Sequence, residues 1–290
     1  MYSAIAANKR KTWLIIALFF VIIGVLGWIA GNIWGNPSFV YLAFVVGGVY
    51  ALIQYFMAAK LALSMNGARE IQKRDNPRLF RTVENLSIAT GMPMPKVYII
   101  EDDAPNAFAT GRDPKHAVIC ATTGLLDMMN DSELEAVMAH EMGHVQNYDI
   151  RVMMIVFGLV SAIGFIADMI FHMFWFNNDD ESPNPLFIVL GIVAAILAPF
   201  VAFLVQMAVS RRREYLADST GAMTTRYPEG LASALEKIAA HGSTLRKQNT
   251  ATAHLFFANP LSGKSVAKLF STHPPIEERI RRLRQMDTHA

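Results

Sequence analysis

The apolar residues of this chain gather into four long runs: Trp13 to Ala30, Phe39 to Leu63, Val152 to Phe176 and Leu186 to Val209. Each has roughly the 20 residues a helix needs to cross a bilayer. A polar turn around Asn32, Gly35, Asn36 and Pro37 divides the first pair, and Asn177 to Pro185 divides the second. None of the runs shows the polar face of a helix that meets water, so four buried core helices are the poorer reading. The pattern predicts two membrane hairpins, residues 1–64 and 152–210. Between and after them lie two polar segments, residues 65–151 and 211–290.

The polar segments carry shorter periodicities. Asn76-Pro77 caps a helix striped by Leu79, Val83 and Leu86 and stopped by Gly91. Lys96 to Ile100 and Ala117 to Ala121, rich in Val and Ile, predict short strands. The stretch Asn106 to Gly111 between them is an edge strand or a loop. A further helix starts at Asp131-Ser132, where Ser132 and Glu135 match a capping box, and Leu134, Val137, Met138 and Met142 recur at helical spacing. In the last segment helices are expected through Arg211 to Gly221, after Pro228 with Leu231, Leu235 and Ile238 inward, and after Pro275 with Ile276, Ile280 and Leu283 inward. Residues 243 to 272 give no assignment.

Composition agrees with a membrane protein. Hydrophobic residues make up 53% and charged residues 17%, and mean hydropathy is +0.29. The charged share is below the usual quarter of a soluble domain. Lys and Arg are absent from Thr12 to Ala59 and from Val152 to Ser210. Basic residues flank the spans at Lys9-Arg10-Lys11, Lys60, Arg151 and Arg211-Arg212-Arg213, and none lies at the hairpin tips. The positive-inside rule therefore puts both termini and the middle segment in the cytoplasm. The first run is too long for a signal-peptide core and reads as a retained anchor. A net charge of +2 makes the chain no general partner for nucleic acid. The single Cys120 excludes a disulfide framework and a multi-cysteine metal site.

The chemistry lies in His140-Glu141-Met142-Gly143-His144. Positions four apart share a helix face, so both imidazoles can reach one metal ion. Glu141 stands beside them, able to take a proton from water that zinc activates. A catalytic zinc wants three protein ligands and an open position. The second hairpin returns the chain beside its own start, which delivers Glu214 next to the HExxH helix. Glu214 is the expected third ligand, and Asp218, four residues on, the carboxylate that orients a ligand imidazole. Glu133, Glu135, Asp149 and Arg151 argue that this helix is not itself in lipid. Asp168 and His172 share a face of the third run but lie toward its acidic tip, where they pair or snorkel.

These residues, with Arg212-Arg213-Glu214-Tyr215-Leu216-Ala217-Asp218, Thr272-His273-Pro274-Pro275, Arg279 and Asn106 to Gly111, resemble the HtpX-type membrane zinc proteases, bacterial relatives of the CAAX prenyl proteases. The resemblance covers essentially the whole chain. It implies a mainly α integral membrane protein with four transmembrane helices and a cytoplasmic α+β, zincin-like (gluzincin) catalytic domain built on a small sheet. It implies one Zn2+ per chain on His140, His144 and Glu214, with Glu141 as base and proton donor. It implies that Asn106, Ala107, Phe108 and Ala109 form the strand on which an extended substrate lies. His273 would stand near the scissile carbonyl, and Arg279 would hold Glu214 or Asp218. The implied role is endoproteolysis of misfolded or damaged membrane proteins at the inner face of the bacterial cytoplasmic membrane, under stress. Two rivals are an intramembrane-cleaving zinc protease and a non-enzymatic membrane scaffold or channel with structural zinc.

Overall fold

The computed structural model describes residues 2–33, 35–159, 161, 211–242, 245–246, 255–258 and 274–287. The first two apolar runs form α1 (Tyr2–Ile33) and α2 (Ser38–Met65). The turn between them is set by Asn36, whose backbone N–H donates to Gly31 O and whose side-chain oxygen accepts from Ser38 N. Gly27 lets the two rods meet, since a Cβ there would sit 2.9 Å from both Ala43 Cβ and Val40 Cα. Small residues at such crossings are what close packing between membrane helices requires. Trp13, Trp28, Tyr41, Leu42, Val45 and Leu52 are exposed on these rods. An apolar surface of this extent marks contact with lipid rather than water. Both helices are long and apolar enough to cross a membrane. α1 starts well before its apolar run, and its polar first turns reach back over the remainder of the protein.

That remainder is built on one small sheet. Its strands are β1 (Arg69–Glu70), β2 (Lys96–Ile100), β3 (Ala107–Gly111) and β4 (Ala117–Thr122). Their order is β1-β2-β4-β3, with β2 and β4 parallel and the outer pairs antiparallel. Asn106 to Gly111, left open by the sequence, is thus an edge strand from Ala107 onward. α3 (Pro77–Thr90) shares a hydrophobic core with the sheet through Leu79, Val83 and Leu86, with Asn76 accepting from Leu79 N and Gly91 closing it at φ +66°. A short α4 (Thr123–Met128), not expected from the pattern, follows β4.

α5 (Asp131–Gln146) is the centre of the molecule. From Glu133 to Val145 all but Glu135 is buried. Its capping box is one register away from the expected one. Asn130 accepts from Glu133 N, and the Glu133 carboxylate accepts from Asn130 N; Ser132 only donates to Asn130. Asn130 wins because Glu133 is also held from outside, by Ser233 and Lys237. Past α5 the chain turns at Tyr148, in the left-handed region at φ +61°, a strained conformation for a bulky side chain. α6 begins at Asp149 and is described over residues 149–159. Its Val152, Val156 and Leu159 pack on Ile15, Phe19 and Ile23 of α1. The rest of the third run and all of the fourth, with Asp168 and His172, lie outside the described residues.

α7 (Arg211–Thr225) and α8 (Pro228–His241) pack on α5, and α9 (Ile276–Asp287) packs on α8 and α7. α7 comes closest, because Gly143 and Gly221 remove the side chains that would hold the rods apart. A Cβ on Gly221 would lie 3.0 Å from His140 N and 3.2 Å from its Cα. Both are backbone atoms of a buried helix and cannot step aside. Gly221→Val is expected to destabilise by about 1–3 kcal/mol despite the helix propensity it gains. By moving α7 it should also weaken metal binding at least about tenfold. Thermal melting with a chelator-competition titration checks both. Wild-type values would mean that the approach of α5 and α7 does not set the site.

Candidate metal centre

One turn of α5 separates His140 and His144, and their Nε2 atoms face each other at 3.1 Å. α7 brings Glu214 across them. Its Oε2 is 3.8 Å from His140 Nε2, and its Oε1 is 3.6 Å from His144 Nε2. The three candidate donor atoms lie within 4.8 Å of one another, and all three residues are buried. A tetrahedral ion with bonds near 2.0–2.1 Å needs donors about 3.3 Å apart. The spacings present therefore fit one small divalent ion, and the set of two imidazoles and a carboxylate is a familiar one for zinc.

Each imidazole has a carboxylate behind it. His140 Nδ1 is 2.9 Å from Asp218 Oδ1, and His144 Nδ1 is 3.1 Å from Asp149 Oδ2. Asp218 in turn accepts twice from Arg279, from Nε at 2.9 Å and from Nη2 at 2.7 Å. Of the two partners open to Arg279, the hydrogen bonds are to Asp218. The Arg279 guanidinium stacks over the Phe257 ring at 4.9 Å, and that ring meets His140 edge-on at 4.9 Å.

Electrostatics suits a bound cation. Burial pushes His140 down to about 4, against the pull of Asp218. Burial also opposes a charge on His144, but the Glu214 and Asp149 carboxylates outweigh it and raise that imidazole to about 9. Burial opposes the charge of Asp218 as well, yet Arg279 and His140 hold its carboxyl far below the usual carboxylate range. The cluster thus favours one positive charge beside Glu214, in the space where the two Nε2 atoms meet. Glu141 is 2% exposed, and burial, helped by Glu214, raises its carboxyl to about 7 against the pull of His144 and an N–H donated by Ala109. A base in that range is matched to proton transfer near neutrality.

β3 runs alongside. Ala107, Phe108 and Ala109 are buried, and Ala109 lends its N–H to Glu141. The outer edge of β3 is already engaged by the chain itself. Phe257 N donates to Ala107 O at 2.8 Å, Ala258 N to Asn106 Oδ1 at 3.0 Å, and Asn106 Nδ2 to Ala258 O at 2.9 Å. Phe256 bridges Phe108, ring edge to ring face. His273 lies outside the described residues. Sequence reasoning missed Asp149 and Phe257. Asp149 served there only as one of the charges that argue against a helix in lipid; it is fully buried, and Glu133 is buried too.

A sheet edge beside a helix bearing two imidazoles and a buried glutamate, crossed by a helix bearing a third donor, defines a metal-dependent peptidase. The family model of peptidase family M48 matches residues 73–287, and the chain belongs to that family. It is a membrane metalloprotease of the HtpX type, and membership implies a bound metal. A protease HtpX homolog of Tropheryma whipplei (strain Twist) is 56% identical over 287 residues, 99% of this chain and 98% of that one. Another, from Streptococcus gordonii, is 42% identical over 296 residues, 99% of this chain and all of that one. Among solved structures, S. mikatae Ste24p matches with TM-score 0.54 at 20% identity, covering 96% of this chain and 66% of that one, a likeness of fold.

Proposed function

We propose that this protein is a four-span zinc endopeptidase that cleaves unfolded or damaged membrane proteins at the cytoplasmic face of the bacterial inner membrane. The observation that carries this reading is the convergence of His140, His144 and Glu214 beside a buried Glu141. Those three residues would hold the zinc, which when bound polarises a peptide carbonyl and makes water more acidic. Glu141 takes the proton of the attacking water and later delivers it to the leaving amine. Asp218 fixes His140, and Arg279 keeps Asp218 charged and in place. His273 is assigned to the developing oxyanion on the resemblance alone. The two hairpins anchor one catalytic unit made of residues 65–151 and 211–290. Hydrolysis of unfolded casein by the purified full-length protein, abolished by a zinc chelator and restored by zinc, tests the reading. A protein that keeps its zinc and cleaves no unfolded substrate would favour the scaffold.

The substrate backbone is read as lying along β3, which suits unfolded chains of many sequences because main-chain groups do the pairing. Pairing there requires Ala107 O and the Asn106 carboxamide to exchange partners, since Phe257 and Ala258 use them. Phe256→Ala removes the anchor of that segment, a side chain 1% exposed, at about 3–5 kcal/mol. It should raise kcat/KM on unfolded protein several-fold. Activity falling in step with melting temperature would instead make the segment a fixed wall of the site.

A further inference from the structure

Four observations meet at the turn after α5. The first is the Asp149 carboxylate, fully buried, with Oδ2 3.1 Å from His144 Nδ1. The second is the strain at Tyr148, spent where it swings Asp149 back under His144. The third is Asn8, in the first turns of membrane helix α1 and also buried. Its Nδ2 donates to Asp149 Oδ1 at 2.7 Å and to Asn147 O at 2.9 Å, pinning both sides of the turn with one amide. The fourth is Tyr148 itself, whose ring sits between Lys9 of α1 at 5.3 Å and Arg151 at 4.8 Å. Arg213, next to Glu214, offsets the Asp149 charge at 3.5 Å but is farther from it than Asn8.

We infer that Asp149 is the positioning carboxylate of His144, and that Asn8 aims it, so that one imidazole of the metal centre is held in place by the first membrane helix. This rests on the metal-peptidase reading above. A carboxylate on Nδ1 fixes the tautomer that leaves Nε2 free to bind, and fixes the plane of the ring. His140 receives this from within the catalytic unit, through Asp218 on α7. His144 receives it from Asp149, whose second oxygen is held by α1, 141 residues away in sequence. Without Asn8 the carboxylate keeps its charge partner but loses the donor that sets its direction.

The test uses full-length protein in nanodiscs, with zinc affinity by chelator competition and the visible spectrum of the Co2+-substituted protein as readouts. Asp149→Asn replaces the carboxylate beside His144 Nδ1 with a neutral amide and should weaken zinc binding about 10–100-fold. Asn8→Asp sets carboxylate against carboxylate and should do the same. The double variant Asn8→Asp with Asp149→Asn restores a donor–acceptor pair in reverse. It should recover much of the lost affinity and return the cobalt spectrum toward wild type. Asn8→Ala should lower kcat and zinc affinity with KM unchanged. Wild-type zinc affinity and cobalt spectrum in both single variants would overturn the inference, whatever happens to melting temperature. So would a double variant no better than its parents. A wild-type protein that binds no metal would instead sink the metal-peptidase reading itself.

Discussion

Glu141→Gln should lower kcat by at least about 10²–10⁴-fold while zinc stays bound. The substitution is nearly isosteric, and its amide oxygen can still accept the N–H that Ala109 donates to Glu141. What it cannot do is take a proton from water and return it to the leaving nitrogen. Because Glu141 is buried, no bulk solvent stands ready to replace it. The metal donors are on other residues, so metal content should remain near one per chain. Steady-state hydrolysis of an unfolded substrate, with zinc measured on the same sample, reads both quantities. Activity near wild type would remove Glu141 from its role.

Glu214→Ala should cost more, because it removes a donor rather than a proton carrier. Loss of a group that only orients a ligand weakens metal binding about 10–100-fold, and loss of a donor should exceed that. Chelator competition should show most of the metal gone at concentrations that leave the wild type loaded, and hydrolysis should vanish with it. Glu214→Asp keeps the charge but draws the carboxylate back by one methylene, so it should retain weak binding. Equal zinc affinity in the alanine variant would mean that a different carboxylate completes the site.

How legible these residues were depended on how local their geometry is. His140, Glu141 and His144 lie within five positions of one helix, and helical spacing alone puts the imidazoles together. Glu214 and Asp218 were reachable by one topological step, the return of a hairpin beside its own start. Asp149 was not reachable that way. It comes after the end of α5, and only the left-handed turn at Tyr148 carries it back to His144. No periodicity encodes such a turn for a non-glycine residue. Asn8 was hidden for a different reason: it meets Asp149 across 141 positions and sits in a segment whose charges were accounted for by orientation alone. The capping box shows how close alternatives can be. Asn130 with Glu133 and Ser132 with Glu135 both satisfy the same local rule. The distant partners Ser233 and Lys237 decide between them by tying down Glu133. Phe257 fell in the stretch for which the pattern gave no assignment, and its place over His140 follows from pairing with β3 rather than from any helix or strand of its own.

X-ray absorption at the zinc edge of the purified, full-length, metal-loaded protein tests the central claim most directly. The account predicts one zinc per chain, no sulfur neighbour, and a shell of two imidazole nitrogens with one carboxylate at about 2.0–2.2 Å. It also predicts that the imidazole signal falls by half in His144→Ala. A sulfur scatterer, a closed shell of four protein donors, or an imidazole signal unchanged by that substitution would contradict it.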